Sequence, residues 1–320
     1  MEWANQIFIP DFSLLGLSSR TPSHIVLFSL VLSIFTGAFL GNALLVLLIY
    51  LDTQLHTPMY FLLSQLSLTD LMLICTTVPR MAYSYLHCRK FISVGGCEAQ
   101  IFFYVSLSGV ECFILALMAY DRCIANCHPL LYPHLMKKMC RHMAASSWVL
   151  GSFDGTVDVA ATLSFSYCGS REIAQFFCDL PALLSFSCTD MSIFETLAFV
   201  CCMVMLFLPC LIIVSYTHVI VAVIRMSSGE GRQKGFTTCT LHLSVVGMYY
   251  GAAMFIYMQP TSNRSPSQDK MVSAFYTILT PLLNPLIYSL HNKDVARTFV
   301  KVLRKGKSEG FECKPMLMKS

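Results

Sequence analysis

Leu115-Ala-Leu-Met-Ala-Tyr-Asp-Arg-Cys-Ile-Ala-Asn-Cys-His-Pro129 closes a long apolar run with an adjacent acid and base, Asp121 and Arg122, and only then turns polar. The run begins just past Cys97, 25 residues before Arg122. At 1.5 Å per residue that is roughly 37 Å of helix, enough to cross the hydrocarbon of a bilayer with some tilt. Ionisable groups placed where hydrocarbon meets water are functional by default. The stretch therefore predicts one membrane-crossing helix with a cysteine at one mouth and an arginine at the other.

The rest of the chain extends this reading. Its 320 residues are 55% hydrophobic and 12% charged, with a mean hydropathy of +0.62. A soluble domain carries about twice that share of charge. The apolar residues are also segmented, which argues for spans and against one large soluble core. Seven spans can be marked, at about 25–50, 58–84, 98–121, 143–163, 194–224, 236–258 and 271–290. The expected fold is an all-α membrane protein, a seven-transmembrane helix bundle with a short cytoplasmic amphipathic helix. Residues 1–24 form an N-terminal segment, 25–290 the bundle, and 291–320 a tail whose residues 293–304 read as the amphipathic helix. In that helix Val295, Phe299 and Val302 face one way and Lys and Arg the other, the pattern of a helix lying on a membrane surface. Residues 1–22 lack a basic-then-apolar leader, so the first span is expected to act as its own insertion signal.

Orientation follows from the basic residues. Of the 22 Lys and Arg, fifteen fall in the loops after spans three and five, in the tail, or at Arg122, and seven on the other side. The tail is therefore expected in the cytosol and the N-terminus outside, in a multi-pass plasma-membrane protein. The net charge of +4 then reads as affinity for an anionic inner leaflet, not for nucleic acid. Cys97, Cys168, Cys178 and Cys188 fall on the oxidising side, where four cysteines allow three pairings that residue patterns alone leave open. The last three sit in the long segment 164–193, which has no helix or strand signal and needs such tethers to fold over the bundle as a lid. Asn263-Arg-Ser is the one N-x-Ser/Thr sequon on that side, close to the membrane.

Two acids lie inside the bundle. Asp70 is 12 residues beyond Pro58, about 18 Å in, and Glu111 is 11 residues before Arg122, about 16–17 Å in. Two carboxylates at one depth in a dry core call for a bound cation, a shared proton, or polar neighbours such as Asn42, Ser67 and Asn284. The plain reading is a hydrogen-bonded core with one acid protonated. The sharper reading is a cation or proton site whose occupancy changes with conformation. Span seven contains Pro281 and Pro285, which free backbone groups and permit a kink, with Asn284 a candidate to re-satisfy them.

Helical spacing also locates a cavity. Tyr104, Ser108 and Cys112 are four apart on one face of span three, flanked by Val105 and Gly109, about 10–23 Å below Cys97. At similar depth lie Cys201 and Met205, then Tyr250, Met254 and Tyr257, then Thr277. The set is apolar and aromatic with a few hydroxyls and no charge, which suits a small neutral volatile molecule held by burial and one or two hydrogen bonds. The plain alternative for any one of these residues is interhelical packing. The sulfurs of Cys112, Cys201, Met205 and Met254 also offer a soft seat for Cu(I) with a thiol ligand, a secondary reading; no cofactor or resident metal is otherwise expected. A ligand of about ten heavy atoms at roughly 0.6 kcal/mol per atom gains about 6 kcal/mol, or tens of micromolar affinity.

Met118-Ala-Tyr-Asp-Arg-Cys, Pro58-Met-Tyr-Phe-Leu, Lys234-Gly-Phe-Thr-Thr-Cys and Pro285-Leu-Ile-Tyr-Ser, in this order and spacing, resemble the olfactory (odorant) receptors. These are rhodopsin-like G-protein-coupled receptors, and the likeness, closest to the tetrapod class II type, covers about residues 10–305. The resemblance implies an odorant ligand. It also implies an olfactory-type stimulatory G protein as partner, cyclic AMP as output, and sensory cilia as location. It implies that Arg122 with Asp121 is the switch at the G-protein face, and that Tyr216 and Tyr288 rearrange with it. It implies the pairs Cys97–Cys178 and Cys168–Cys188. The chain departs from the family at Cys123 (usually tyrosine), His291 (usually arginine), Gln175 (commonly histidine) and in lacking an N-terminal sequon. These departures make a weakly coupling or non-olfactory chemosensory receptor the second reading. A proton- or ion-linked transporter is the third, and it lacks the internal repeats such a fold predicts. No catalytic or phosphate-loop pattern supports an enzyme.

Overall fold

The computed structural model describes residues 12–14, 22–87, 91–128, 130–167, 172–173, 175–184, 187–188, 192–224, 229–258, 266–290 and 293–309. Seven long helical runs form the bundle: α1 (Pro22–Leu51), α2 (Pro58–His87), α3 (Val94–Cys127), α4 (Tyr132–Ser164), α6 (Ser192–Ile224), α7 (Gly229–Met258), and a seventh made of α8 (Pro266–Ala274), a π turn (Phe275–Leu279) and α9 (Thr280–Leu290). The short α5 (Leu180–Leu184) lies between α4 and α6, and α10 (Lys293–Glu309) follows the seventh run. Ile25–Leu51, Pro58–Leu86, Val94–Cys127 and Met271–Tyr288 are each long and apolar enough to cross a membrane. Phe207–Val221 and Cys239–Phe255 are shorter apolar stretches of α6 and α7. The large apolar side chains left exposed, such as Val26, Tyr50, Phe153, Phe207 and Ile213, belong to lipid-facing helix sides.

α3 is the central rod and packs against α2, α4, α6 and α7. It starts at Ser93, whose side chain accepts a hydrogen bond from the Gly96 amide (3.2 Å), an N-cap that satisfies one orphan N–H. Its contact with α4 is close because Gly151 and Gly155 of α4 face it. A Cβ on Gly151 would lie 2.5 Å from the Ser106 carbonyl oxygen and 2.9 Å from the Val110 nitrogen. A Cβ on Gly155 would lie 2.8 Å from the Phe102 carbonyl oxygen. α4 also holds α2 through the Trp148 indole, which donates to Gln65 Oε1 at 3.0 Å.

The seventh run shows what its two prolines do. Pro281 has no N–H and crowds the carbonyl four residues back, so the preceding turn widens: the Thr280 amide bonds to the Phe275 carbonyl, five residues back. Pro285 likewise leaves the Pro281 carbonyl without its helical donor. Asn42 of α1 fills that vacancy, donating from Nδ2 to Pro281 O at 2.8 Å and to Ala38 O at 3.0 Å. Asn284 was the expected neighbour, but its amide points to Asp70 instead. Gly41 lets α1 come close enough for this bond, since a Cβ there would lie 3.2 Å from Pro285 Cγ.

The disulfide end carries structure that periodicity did not announce. β1 (Phe12–Leu14) is the middle strand of a small sheet, antiparallel to β2 (Phe91–Ile92) and parallel to β3 (Glu172–Ile173). Phe12 and Leu14 are buried there. Segment 164–193, expected without helix or strand, therefore contains β3 and α5, and Tyr167 bridges Ser187. Strands this short have no readable alternation; their partners are distant in sequence.

At the opposite end α10 runs to Glu309, beyond the expected 304. Val295 is buried and Val302 half-buried, whereas Phe299 is exposed. Asp52, between α1 and α2, clasps the helix. Its carboxylate accepts from Thr298 Oγ1 (2.8 Å) and Lys301 Nζ (3.3 Å), and caps a 3₁₀ turn through the Gln54 amide (3.2 Å). The Thr298 hydroxyl above all, then the Gln54 amide and Lys301, holds the Asp52 carboxyl below the usual carboxylate range.

Candidate functional site

Near the disulfide end, α3 presents Tyr104, Ser108 and Cys112 on one stripe, as their four-residue spacing requires. Cys97 is bonded to Cys178, with Cα atoms 5.4 Å apart, which ties the lid to the top of this helix. Gln100 reinforces the tie: its side chain accepts from the Cys178 amide (2.9 Å) and donates to Thr76 O (2.9 Å). Cys188 is disulfide-bonded too, and Cys168, its expected partner, lies outside the described residues, as does Asn263. The lid's Phe177 then packs on Tyr104, ring centroids 4.9 Å apart.

Below the lid the stripe meets a set of tyrosines. Tyr250 and the Cys112 sulfur are 3.0 Å apart, and the same hydroxyl donates to Cys112 O at 3.2 Å. The Tyr249 hydroxyl donates to the Ser108 carbonyl. The Tyr276 hydroxyl lies 3.2 Å from both Ser108 Oγ and Glu111 Oε2, and donates to the carboxylate while the serine hydroxyl can donate to it. Tyr104, Tyr249 and Tyr276 stack edge to face, with Tyr276 centroids 6.3 and 5.3 Å from the other two. Tyr249, Tyr276 and Phe177 were not singled out from sequence. An aromatic inside an apolar helix carries no local mark of which neighbour it meets; the adjacent pair Tyr249-Tyr250 was the available signal.

The other expected pocket residues are placed as follows. Val105 is buried and Cys201 half-buried. Thr277 is buried, with its hydroxyl bonded to Ser273 O at 2.7 Å. Gly109 lies against α4, where a Cβ would meet Gly151 Cα at 3.3 Å. One residue is about 100° of helix, so the neighbour of Ser108 faces another partner. Met254 is 40% exposed. The side chains of Met205 and Tyr257 lie outside those described.

The polar core sits deeper. Asp70 and Glu111 are fully buried, and Asn284 donates to both Asp70 oxygens, at 3.2 and 2.9 Å. Glu111 receives Tyr276 on Oε2, while its Oε1 has no donor among the described residues. One tyrosine hydroxyl therefore touches both the serine of the upper stripe and the acid of the core.

At the far end Asp121 is buried and accepts from the Tyr132 hydroxyl at 3.0 Å. It makes no ion pair with Arg122; among the described residues ion pairs join Arg297 to Asp294 and Lys301 to Asp52. Arg122 is half-buried, with Nε unpartnered among the described residues. Tyr216 and Tyr288 flank His242, at centroid distances of 5.4 and 6.2 Å. His242, in the run Leu241-His242-Leu243, was not assigned a role from sequence. No cluster of metal-ligating side chains occurs among the described residues.

Comparison with known proteins agrees with these motifs. The family model described as olfactory receptor matches residues 28–306. Olfactory receptor 2M2 of Homo sapiens is 67% identical over 97% of this chain and 90% of its own length. Olfactory receptor 2M3 of Homo sapiens is 67% identical over 95% of this chain and 98% of its own. Olfactory receptor 2V1 of Mus musculus is 54% identical, covering 95% of this chain and 96% of its own length.

Proposed function

Because this chain belongs to the olfactory receptor family, a family of odorant-sensing G-protein-coupled receptors and not of enzymes, we propose a concrete ligand and output for it. It binds a small, mostly neutral volatile molecule among α3, α6, α7 and the π turn. It then activates an olfactory-type stimulatory G protein, raising cyclic AMP. The chain sits in the plasma membrane of sensory cilia, N-terminus outside and tail in the cytosol. Pocket residues are Tyr104, Val105, Ser108, Cys112, Cys201, Met205, Tyr250 and Thr277, joined by Tyr249 and Tyr276, with Gly109, Met254 and Tyr257 at the margin.

The observation that carries the reading is Tyr276, which bridges Ser108 and Glu111. A ligand hydroxyl or carbonyl that competes for Ser108 or Tyr276 changes a hydrogen bond to the core acid as it binds. Only such differential contact shifts a conformational balance. Moving 1:99 to 99:1 needs about 5.5 kcal/mol, nearly all that a ten-atom ligand gains. Graded, partial agonism follows unless the G protein contributes the remainder. Asp121, Arg122, Tyr216 and Tyr288 form the switch at the far end; Asn42, Asp70, Glu111 and Asn284 form the core between.

A panel of neutral odorants, with cyclic AMP and surface expression read together, tests the proposal. For an agonist carrying an oxygen, Ser108→Ala is expected to lower potency roughly three- to tenfold, the range of one hydrogen bond. Unchanged potency for every oxygenated agonist would remove Ser108 from the ligand's path. Absence of any response at normal surface expression would favour the weakly coupling alternative suggested by Cys123 and His291.

A further inference from the structure

Two clefts flank the outer part of α3, one of about 310 Å³ against α4 and one of about 360 Å³ between α2, α3 and β2. The second has an uneven lining. Arg80, Ser93, Thr76 and Gln100 contribute polar groups to its lining, and Ile92, Gly96, Ala99 and Phe103 the apolar part. Ala99 and Phe103 are exposed, so the cleft opens toward the lipid and not toward the tyrosine-lined interior. Among the described residues no carboxylate lines it; Glu98 lines the neighbouring cleft on α4's side.

Depth and charge narrow the occupant. Arg80 lies 22 residues along α2 from Pro58, about 33 Å, against a hydrocarbon thickness of about 30 Å. Its guanidinium thus stands at the headgroup level of the leaflet beside the sheet. It donates through Nη2 to the Phe91 carbonyl and lies over the Tyr83 ring at 5.7 Å, while Nε has no partner among the described residues. A guanidinium presents five donors, and among the described residues the Phe91 carbonyl takes one of them. α3 begins at the same rim, and its amino end adds partial positive charge.

We propose that this cleft is a phospholipid site: Arg80 and the amino end of α3 hold the phosphodiester, and an acyl chain lies over Ala99 and Phe103. Arginine suits this because its planar fork matches phosphate oxygens, and its charge meets none of opposite sign among the described residues of the cleft. The proposal needs only that the chain is a multi-pass membrane protein, and is independent of the odorant and G-protein assignments. A lipid seated there braces α2 and β2 against α3, next to the Cys97–Cys178 tie.

The test uses the purified full-length receptor and dioleoyl-phosphatidylcholine. Native mass spectrometry is expected to show one retained phospholipid that resists excess inorganic phosphate. Arg80→Gln should weaken retention about tenfold, while Arg297→Gln on exposed α10 leaves it unchanged. In the wild-type protein, a phosphatidylcholine with a photoreactive acyl chain should label the peptide containing Ala99 and Phe103, a result that does not depend on any variant folding. Absence of that label, or equal loss in both variants, overturns the proposal. Displacement by inorganic phosphate alone would make the cleft a small-anion site, which also overturns it.

Discussion

Gly155→Ala adds one methyl group to the close α3–α4 contact. The new Cβ would lie 2.8 Å from the Phe102 carbonyl oxygen and 3.2 Å from the Ser106 nitrogen, with the Ser106 hydroxyl closer still. Two of those three neighbours are backbone atoms of α3, which cannot rotate away as a side-chain tip can. The helices must separate, and overpacking of this kind costs about 1–3 kcal/mol. Against that, alanine gains about 1 kcal/mol over glycine in helix propensity. Gly247→Ala separates the two effects, because nothing among the described residues lies within 4 Å of a Cβ there. The net cost is about 0–2 kcal/mol, so thermal unfolding of the purified receptor should show Gly155→Ala melting a few degrees below Gly247→Ala, with Gly247→Ala at or slightly above wild type. Gly151→Ala should resemble Gly155→Ala, and the double variant should cost less than their sum, since helices already parted admit a second methyl cheaply. If Gly155→Ala melts with Gly247→Ala, close α3–α4 packing is not what these glycines provide.

Arg122→Ala should abolish odorant-evoked cyclic AMP while surface labelling stays at the wild-type level; a retained response would take the switch away from this residue. Asp70→Asn keeps the side chain's size but replaces one of the two oxygens that accept from Asn284 with a donor, so basal or stimulated cyclic AMP should change at equal surface expression. Identical dose–response curves would leave Asp70 a packing group. Thr298→Val removes the hydroxyl that contributes most to holding the Asp52 carboxyl below its usual range. Faster amide exchange across residues 293–309 should follow at neutral pH. In the wild type the same loosening should come only on acidification: a depressed carboxyl stabilises fully above its unfolded value, about pH 4, and less as pH falls through the folded one. Protection of residues 293–309, corrected for intrinsic exchange, that stays constant between pH 5 and 2.5 would show that Asp52 does not hold α10.

Particular residues show where sequence reading reached and where it stopped. Asp121-Arg122 at the end of an apolar run, the four-residue stripe of Tyr104, Ser108 and Cys112, and the burial of Asp70 and Glu111 all follow from helix period and the cost of charge in hydrocarbon. The Gly151-x-x-x-Gly155 spacing was present as a small-residue contact signal and went unused. Asn42 and Asn284 were both recognised as core amides, but which one answers the proline-freed carbonyl depends on how α1 lies against α9. Gly109 sits one residue from the pocket stripe, and 100° of rotation places it on α4.

By itself, then, the order of residues determined that this chain crosses a membrane repeatedly, which family it resembles, and which side chains share a helix face. Those properties depend on composition and on a period of 3.6 residues, both local. The tertiary structure decided the rest: that Tyr276 joins Ser108 to Glu111, that His242 lies between Tyr216 and Tyr288, and that β1 threads between two loops. Tyr276 and Ser108 are 168 positions apart, and such pairings depend on the rotation and register of whole helices, which no local pattern records.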